Sequence, residues 1–232
     1  MKILVLADIH SNWQALSAID EEFDTCVIAG DVVDYGVQPA ECIEWARQHN
    51  AIVIRGNHDH AVAQRVPVKT GDGFRRLAAF ARPLHWEVLS ADHLSWLARL
   101  PVTSYITIGG LKFFFVHGTP RDPLDEYLNA DAKAWAARLE GIDADFVCVG
   151  HTHLPLHIDL CGKNVVNPGS VGQPRDGDPR CSYAIIEDGE VEFKRVEYDI
   201  DETLARYKST NIERNAMDIV RSVLTTGGRM PR

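Results

Sequence analysis

Short apolar runs that stop abruptly at a polar residue set the rhythm of this chain. Ile3-Leu4-Val5-Leu6-Ala7 runs into Asp8-Ile9-His10, Cys26 to Ala29 into Gly30-Asp31, and Ile52 to Ile54 into Arg55-Gly56-Asn57-His58-Asp59. Phe113 to Val116 meets His117-Gly118, and Phe146 to Val149 meets Gly150-His151-Thr152-His153. Unbroken runs of this kind, rich in Val and Ile, suit strands buried on both faces. The segments Trp13 to Phe23 and Pro39 to His49 have helical length and spacing. The resulting order βαβαβ predicts a parallel sheet with helical crossovers.

Ala61 to Pro101 departs from that rhythm. Phe74 to Ala81 predicts a helix ending near Pro83. Ser90 is positioned to cap a second one, carrying Leu94, Leu97 and Leu100 and stopped by Pro101. This stretch is expected to be a helical insert. Three hairpin signals follow: Gly109-Gly110 between Tyr105 to Ile108 and Leu111 onward, Gly162 between Ile158 and Val166, and Asp188-Gly189 between Tyr183 to Ile186 and Val191 to Val196. A second, partly antiparallel sheet is therefore expected after the first. From Asp201 the pattern is helical, with Ile212, Ala216, Ile219, Val220 and Val223 on one face, until Gly227-Gly228. The expected organisation is a main domain over residues 1–200 with its insert at about 61–101, a helical appendage over 201–226, and a disordered tail over 227–232.

Composition narrows the function classes. The 232 residues hold 24 Lys+Arg against 33 Asp+Glu, a formal net charge of −9, which argues against generic nucleic-acid or membrane-surface binding. With 45% hydrophobic and 25% charged residues the chain is that of a folded globular protein. The five cysteines show no CxxC spacing, as expected of reduced thiols. The first apolar run is too short for a signal-peptide core, and none approaches the roughly 20 residues of a membrane span. The expected location is the cytoplasm.

In open α/β sheets, ligands bind beyond the carboxyl ends of the strands. Asp8, His10, Asp31, Asn57, His117, His151 and His153 all stand at such ends: four imidazoles, two carboxylates and one amide. Singly, each has an ordinary explanation, because Asp caps helices and a histidine at a strand end is most often a satisfied polar residue. Together they exceed one tetrahedral site and suit two cations bridged by a carboxylate, as in hydrolases whose ions lie ~3.5–4 Å apart. Nitrogen and oxygen donors without thiolate favour two divalent transition-metal ions, Mn first, with Fe, Zn, Ni or Co as alternatives. Such ions would generate hydroxide at neutral pH and draw a phosphate to an otherwise acidic protein.

These motifs, Asp8-x-His10, Gly30-Asp31-x-x-Asp34, Gly56-Asn57-His58-Asp59, His117 and Gly150-His151-x-His153, resemble those of the calcineurin-like metallophosphoesterase family. His117 to Pro123 and Asn167 to Arg175 are similar to its small bacterial phosphodiesterase-type branch. The resemblance implies an α/β fold, a four-layer αββα sandwich of two mixed β-sheets flanked by helices. It implies one metal on Asp8, His10, Asp31 and His153, and a second on Asp31, Asn57, His117 and His151. A bridging hydroxide would be the nucleophile, and His58 would meet the phosphate and the leaving oxygen. Asp34 and Asp59 would support the catalytic apparatus, with Asp59 orienting His58. Arg55 and Arg175 are candidate phosphate contacts. The expected partner is a small phosphoester. A phosphodiesterase leads, with a phosphomonoesterase or serine/threonine protein phosphatase-like activity, or dinucleoside polyphosphate hydrolysis, as alternatives. A metal-free scaffold would belong to a different class, separable by metal content and hydrolysis.

Overall fold

The computed structural model describes residues 1–68 and 73–230. The chain begins with β1 (Lys2–Leu6), α1 (Trp13–Ser17), β2 (Thr25–Ile28), α2 (Pro39–Gln48) and β3 (Ile52–Val53), the alternation that the apolar runs predict. Three helices follow, α3 (Asn57–Ala63), α4 (Phe74–Val88) and α5 (Ala91–Arg99). Next come β4 (Thr103–Ile108), β5 (Leu111–Val116), α6 (Ala132–Arg138), β6 (Phe146–Cys148), β7 (Pro155–Asp159) and β8 (Asn164–Pro168). The hairpin β9 (Cys181–Glu187) and β10 (Glu190–Val196) and the helices α7 (Ile200–Lys208) and α8 (Arg214–Thr226) complete the described chain.

The strands form two five-stranded sheets, β10-β9-β1-β2-β3 and β4-β5-β6-β8-β7. Each has a parallel centre, β1-β2-β3 in one and β5-β6-β8 in the other, with antiparallel strands added. Side chains alternate across each sheet, so every central strand feeds two cores. Ile3 and Val5 of β1 join Phe113, Phe115, Phe146, Cys148 and Val166 between the sheets, while Leu4 and Leu6 pack with Leu16, Ile43 and Leu97 beneath the helices. Phe114, Val116 and Val147 face outward from the second sheet onto Trp135 and Leu139 of the α6 segment. The result is a four-layer α/β sandwich. Burial on both faces explains why the central strands read as continuous apolar runs.

Three expectations need correction. The first helix stops at Ser17 and does not reach Phe23, because the chain turns to bring Glu21 onto the Lys2 and Lys194 amines and the Tyr183 hydroxyl. Helix α4 continues through Pro83 to Val88. An interior proline removes a helix hydrogen bond, but this continuation seats Arg82 and His85 in buried positions against the loop at Asp34 to Gly36. The expected tail is packed at its start: Gly227 is buried, its N–H donates to Val223 O and its carbonyl accepts from Gly177 N, and Gly228 lies against Arg175. Residues 231 and 232 lie outside the described residues.

The insert and the C-terminal helices form one unit with the edge of the site. Leu77 and Ala78 of α4 share a core with Leu204 and Tyr207 of α7, Val220 and Val223 of α8, and Tyr35. Four cysteines are buried and Cys161 is exposed, all of them unpaired. Among the described residues, no helix is long and apolar enough to cross a membrane. Phe115→Ala, which removes a ring from between the sheets, is expected to cost about 3–5 kcal/mol of stability, read as a lowered urea midpoint.

Candidate metal centre

The parallel strands end on one side of the sandwich, and their following loops meet there. Asp8, His10 and His153 form one group of potential ligand atoms, and Asp31, His117 and His151 form another, each with its atoms within 4.8 Å of one another. All six residues are buried. Much of this loop backbone is left-handed without glycine: φ is 53° at Asp8, 49° at His10, 57° at Asp31, 67° at His151 and 60° at His153. Such conformations cost roughly 1–3 kcal/mol each and persist where the surrounding structure imposes them.

Hydrogen bonds between loops impose them here. His10 N donates to Asp31 O, Gly150 N to His117 O, and His151 N to Asp8 Oδ1. Ser170 Oγ and Gly172 N both donate to the Asp8 carbonyl, and Asn167 Nδ2 donates to Gly150 O. The Asn167 to Gln173 stretch thus braces Asp8 and the His151 to His153 loop together. Gly56 is needed for close approach, since a Cβ there would lie 2.0 Å from Asp31 Oδ1.

The imidazoles are oriented by backbone carbonyls. His10 Nδ1 lies 3.2 Å from Val33 O, His117 Nδ1 2.8 Å from Ala29 O, and His153 Nδ1 2.6 Å from Gln173 O. A carbonyl only accepts, so the ring proton sits on Nδ1 and each Nε2 turns a lone pair inward. Those lone pairs meet other lone pairs: His10 Nε2 is 3.1 Å from His153 Nε2, and His117 Nε2 is 3.1 Å from Asp31 Oδ2. Asp8 Oδ2, Asp31 Oδ2, Asn57 Oδ1 and His117 Nε2 are buried without a hydrogen-bond partner. Acceptors facing acceptors in a buried site are unfavourable unless a cation lies between them. The donor set therefore fits divalent ions, and Asn57 adds a buried Oδ1 without a hydrogen-bond partner, one residue before His58, whose N–H donates to Asp31 Oδ1.

Charge states of the ligand cluster follow from burial and from neighbours. Burial pushes the Asp8 carboxyl up to about 7 and holds the His10 imidazole down at about 3. Burial opposes ionisation of Asp31 as well, but the neighbouring His117 and His58 outweigh it and hold that carboxyl well below its usual range. His117 is pushed up to about 10: burial works against the charge, and Asp31 overcomes it, so without a metal ion a proton on Nε2 fills the place between the two that a metal ion would take.

Behind the ligands stands His58, at the start of α3. Its Nδ1 is 2.6 Å from Asp34 Oδ2, and Arg82 Nε donates to that same oxygen at 2.7 Å. Asp34 thus orients His58, which corrects the expected role of Asp59. Asp59 lies one turn into α3, and its carboxylate turns back to accept from Asp31 N, Gly56 N and Val33 N. It fixes the Asp31 loop. Arg55 is also corrected: its guanidinium donates to the Ala98 carbonyl at the end of α5. Arg175, in contrast, lies by the centre, its guanidinium 4.0 Å above the Phe74 ring and near enough to Asp8 and His153 to bias their charge.

Several contributors escaped the sequence reading. Arg82 was not singled out, and His85 reads from sequence as a packing residue, whereas its ring sits between Asp34 N and Gly36 O. Tyr127 stacks on His151 with ring centroids 3.8 Å apart.

Comparison with known proteins fixes the family. The model of the calcineurin-like phosphoesterase superfamily domain matches residues 1–189. This chain belongs to the calcineurin-like phosphoesterase superfamily. Members of that family are hydrolases acting on phosphate esters. An uncharacterized protein of Methanocaldococcus jannaschii is 35% identical, covering 85% of this chain and 88% of its own. The phosphodiesterase YfcE of Escherichia coli K12 is 25% identical over 81% of this chain and 88% of its own. Among solved structures, a metallophosphoesterase from Sphaerobacter thermophilus superposes with a TM-score of 0.82 at 34% identity, covering 98% of this chain and 99% of that one. Asp31→Asn, which halves the carboxylate charge between the two groups, is expected to weaken Mn²⁺ binding at both, seen as lost stoichiometry in calorimetric titration.

Proposed function

We propose that this protein is a dinuclear metal-dependent phosphodiesterase acting on small, nucleotide-like phosphodiesters. The observation that carries this reading is the pair of buried ligand groups, in each of which two potential ligand atoms stand 3.1 Å apart. The diester preference draws support from the YfcE relative, which is named a phosphodiesterase. Asp8, His10 and His153 would hold one divalent transition-metal ion, and Asn57, His117 and His151 the other, with Asp31 shared. Manganese is the first candidate, and Fe, Zn, Ni and Co suit the same donors. Two such ions, when bound, supply a water activated near neutral pH and neutralise charge developing on the phosphoryl oxygens.

The chain's own residues do the rest. Asp34 accepts the His58 Nδ1 proton and so leaves Nε2 to face the substrate. His58 is held protonated more readily than a free imidazole: burial opposes this, but Asp31 and the Asp34 hydrogen bond prevail. An imidazolium in that position can give a proton to the departing oxygen. Arg82 shares Asp34 and keeps that carboxylate ionised in its buried setting. Arg175 would hold a phosphoryl oxygen, steadied by the Phe74 ring.

Bis(p-nitrophenyl) phosphate and p-nitrophenyl phosphate assayed side by side with Mn²⁺ test the reading, with Asp31→Asn as the blank. Faster diester cleavage, lost in the variant, is expected. Faster monoester cleavage would shift the assignment to a phosphomonoesterase. His58→Ala is expected to lower kcat by about 10²–10⁴-fold while metal content stays near that of the wild type. Equal loss of metal and turnover would remove His58 from the chemistry.

A further inference from the structure

A cleft of about 460 Å³ opens directly beside His58 and is lined by Tyr35, Pro67, Val68, Phe74, Arg75, Ala78 and Arg82 along with that histidine. Its size falls in the range of roughly 300–1,000 Å³ typical of small-molecule sites. Most of its lining comes from the helical insert, which the phosphate chemistry at the strand ends does not itself require.

The lining chemistry is selective. Tyr35 and Phe74 stand with ring centroids 5.9 Å apart, tilted by 49°, and Tyr35 also meets the His58 ring at 4.5 Å. An aromatic wall therefore leads away from His58. Pro67, Val68 and Ala78 add aliphatic surface, and among the described residues no carboxylate or carboxamide belongs to the lining. A sugar or polyol would find few hydrogen-bond acceptors there, whereas a flat ring would find aromatic and aliphatic contact. The polar groups present are mainly cations. Arg82 is committed to Asp34 and to the Val66 carbonyl, but Arg75 is exposed and has no partner among the described residues. A free guanidinium beside an aromatic wall suits the face or the acceptor-bearing edge of a planar ring.

We propose that this cleft is the subsite for the organic group esterified to the phosphate, and that it selects a planar aromatic group, of aryl or nucleobase type, over a small alkyl one. The assignment rests on the phosphoesterase reading for its orientation, since His58 is what joins the cleft to the reacting phosphate. The insert is then the element that sets substrate choice: Phe74 serves both as part of the cleft wall and as the platform for Arg175, so ring binding and phosphate binding meet on one side chain.

The test uses non-hydrolysable probes on the Mn²⁺-loaded full chain, phenylphosphonate and methylphosphonate, each titrated by calorimetry. Phenylphosphonate is expected to bind about tenfold or more tightly than methylphosphonate, the scale of burying one ring. Val68→Trp, which fills the cleft from its rim, is expected to bring that ratio to about threefold or less, with an unchanged far-ultraviolet circular dichroism spectrum confirming the fold. Affinities within about twofold of each other in the wild type, or a preference that survives Val68→Trp in a folded variant, would overturn the assignment. The wild-type comparison decides the matter by itself if the variant does not fold. Bis(p-nitrophenyl) phosphate hydrolysis separates the two readings. Hydrolysis without a phenyl preference overturns the cleft alone. A phenyl preference without hydrolysis supports the cleft as a ring-binding site and overturns the esterase reading.

Discussion

Acceptors pressed against acceptors in a buried space are the constraint on which this structure turns. His10 and His153 face each other through ring nitrogens whose protons are elsewhere, and His117 Nε2 stands 3.1 Å from Asp31 Oδ2, a gap that calls for a proton or a metal ion. Left alone, this arrangement would disperse, since the residues would gain by turning to other partners or to water. It is held because each ring is tied by its far nitrogen to a backbone carbonyl and each loop is tied to its neighbour. The left-handed conformations at five ligand positions are part of the same arrangement. The fold spends backbone strain to keep a cation-shaped gap open.

That arrangement needs a rigid support, and the sandwich supplies it. Parallel strands bring the loops after β1, β2, β3, β5 and β6 to a common edge, although the residues they carry lie far apart in sequence. The core between the sheets, built on stacked Phe113, Phe115 and Phe146, fixes the distance between the loops of one sheet and those of the other. Asp8 and Asp31 come from the first sheet, and His117 and His151 from the second, so the spacing of the sheets sets the spacing of the ligands.

The candidate ligand groups were legible in the sequence because strand ends and potential metal donors share a register: a buried run followed at once by Asp or His is visible without a structure. The sheets were legible for the same reason. What the sequence concealed depends on side-chain direction. Asp59 follows His58 directly, which suggests that the two interact, but neighbours on a helix point different ways. Asp59 turns back to the amides of Asp31, Val33 and Gly56, while His58 reaches across to Asp34. Arg82 and His85 were concealed for a second reason. They flank Pro83, which normally marks a helix end, and only the continued helix places both behind the site.

That continuation shows how the insert became part of the chemistry. Arg82 and His58 share one oxygen of Asp34, so the position of the His58 imidazole depends on a helix outside the strand-end motifs. The same helix carries Leu77 and Ala78 into the core shared with α7 and α8, and Phe74 into contact with Arg175. The C-terminal helices therefore bear on the site in two ways: they hold the helix that holds Asp34, and Tyr207 Oη donates to the carbonyl of Tyr35, whose ring lies 4.6 Å from that of His10. The acidic charge of the whole chain is compatible with an anionic substrate on these terms, because Arg175 and an imidazole biased toward its charged form stand beside the buried candidate ligands. Local placement of charge, fixed by packing, outweighs the net charge.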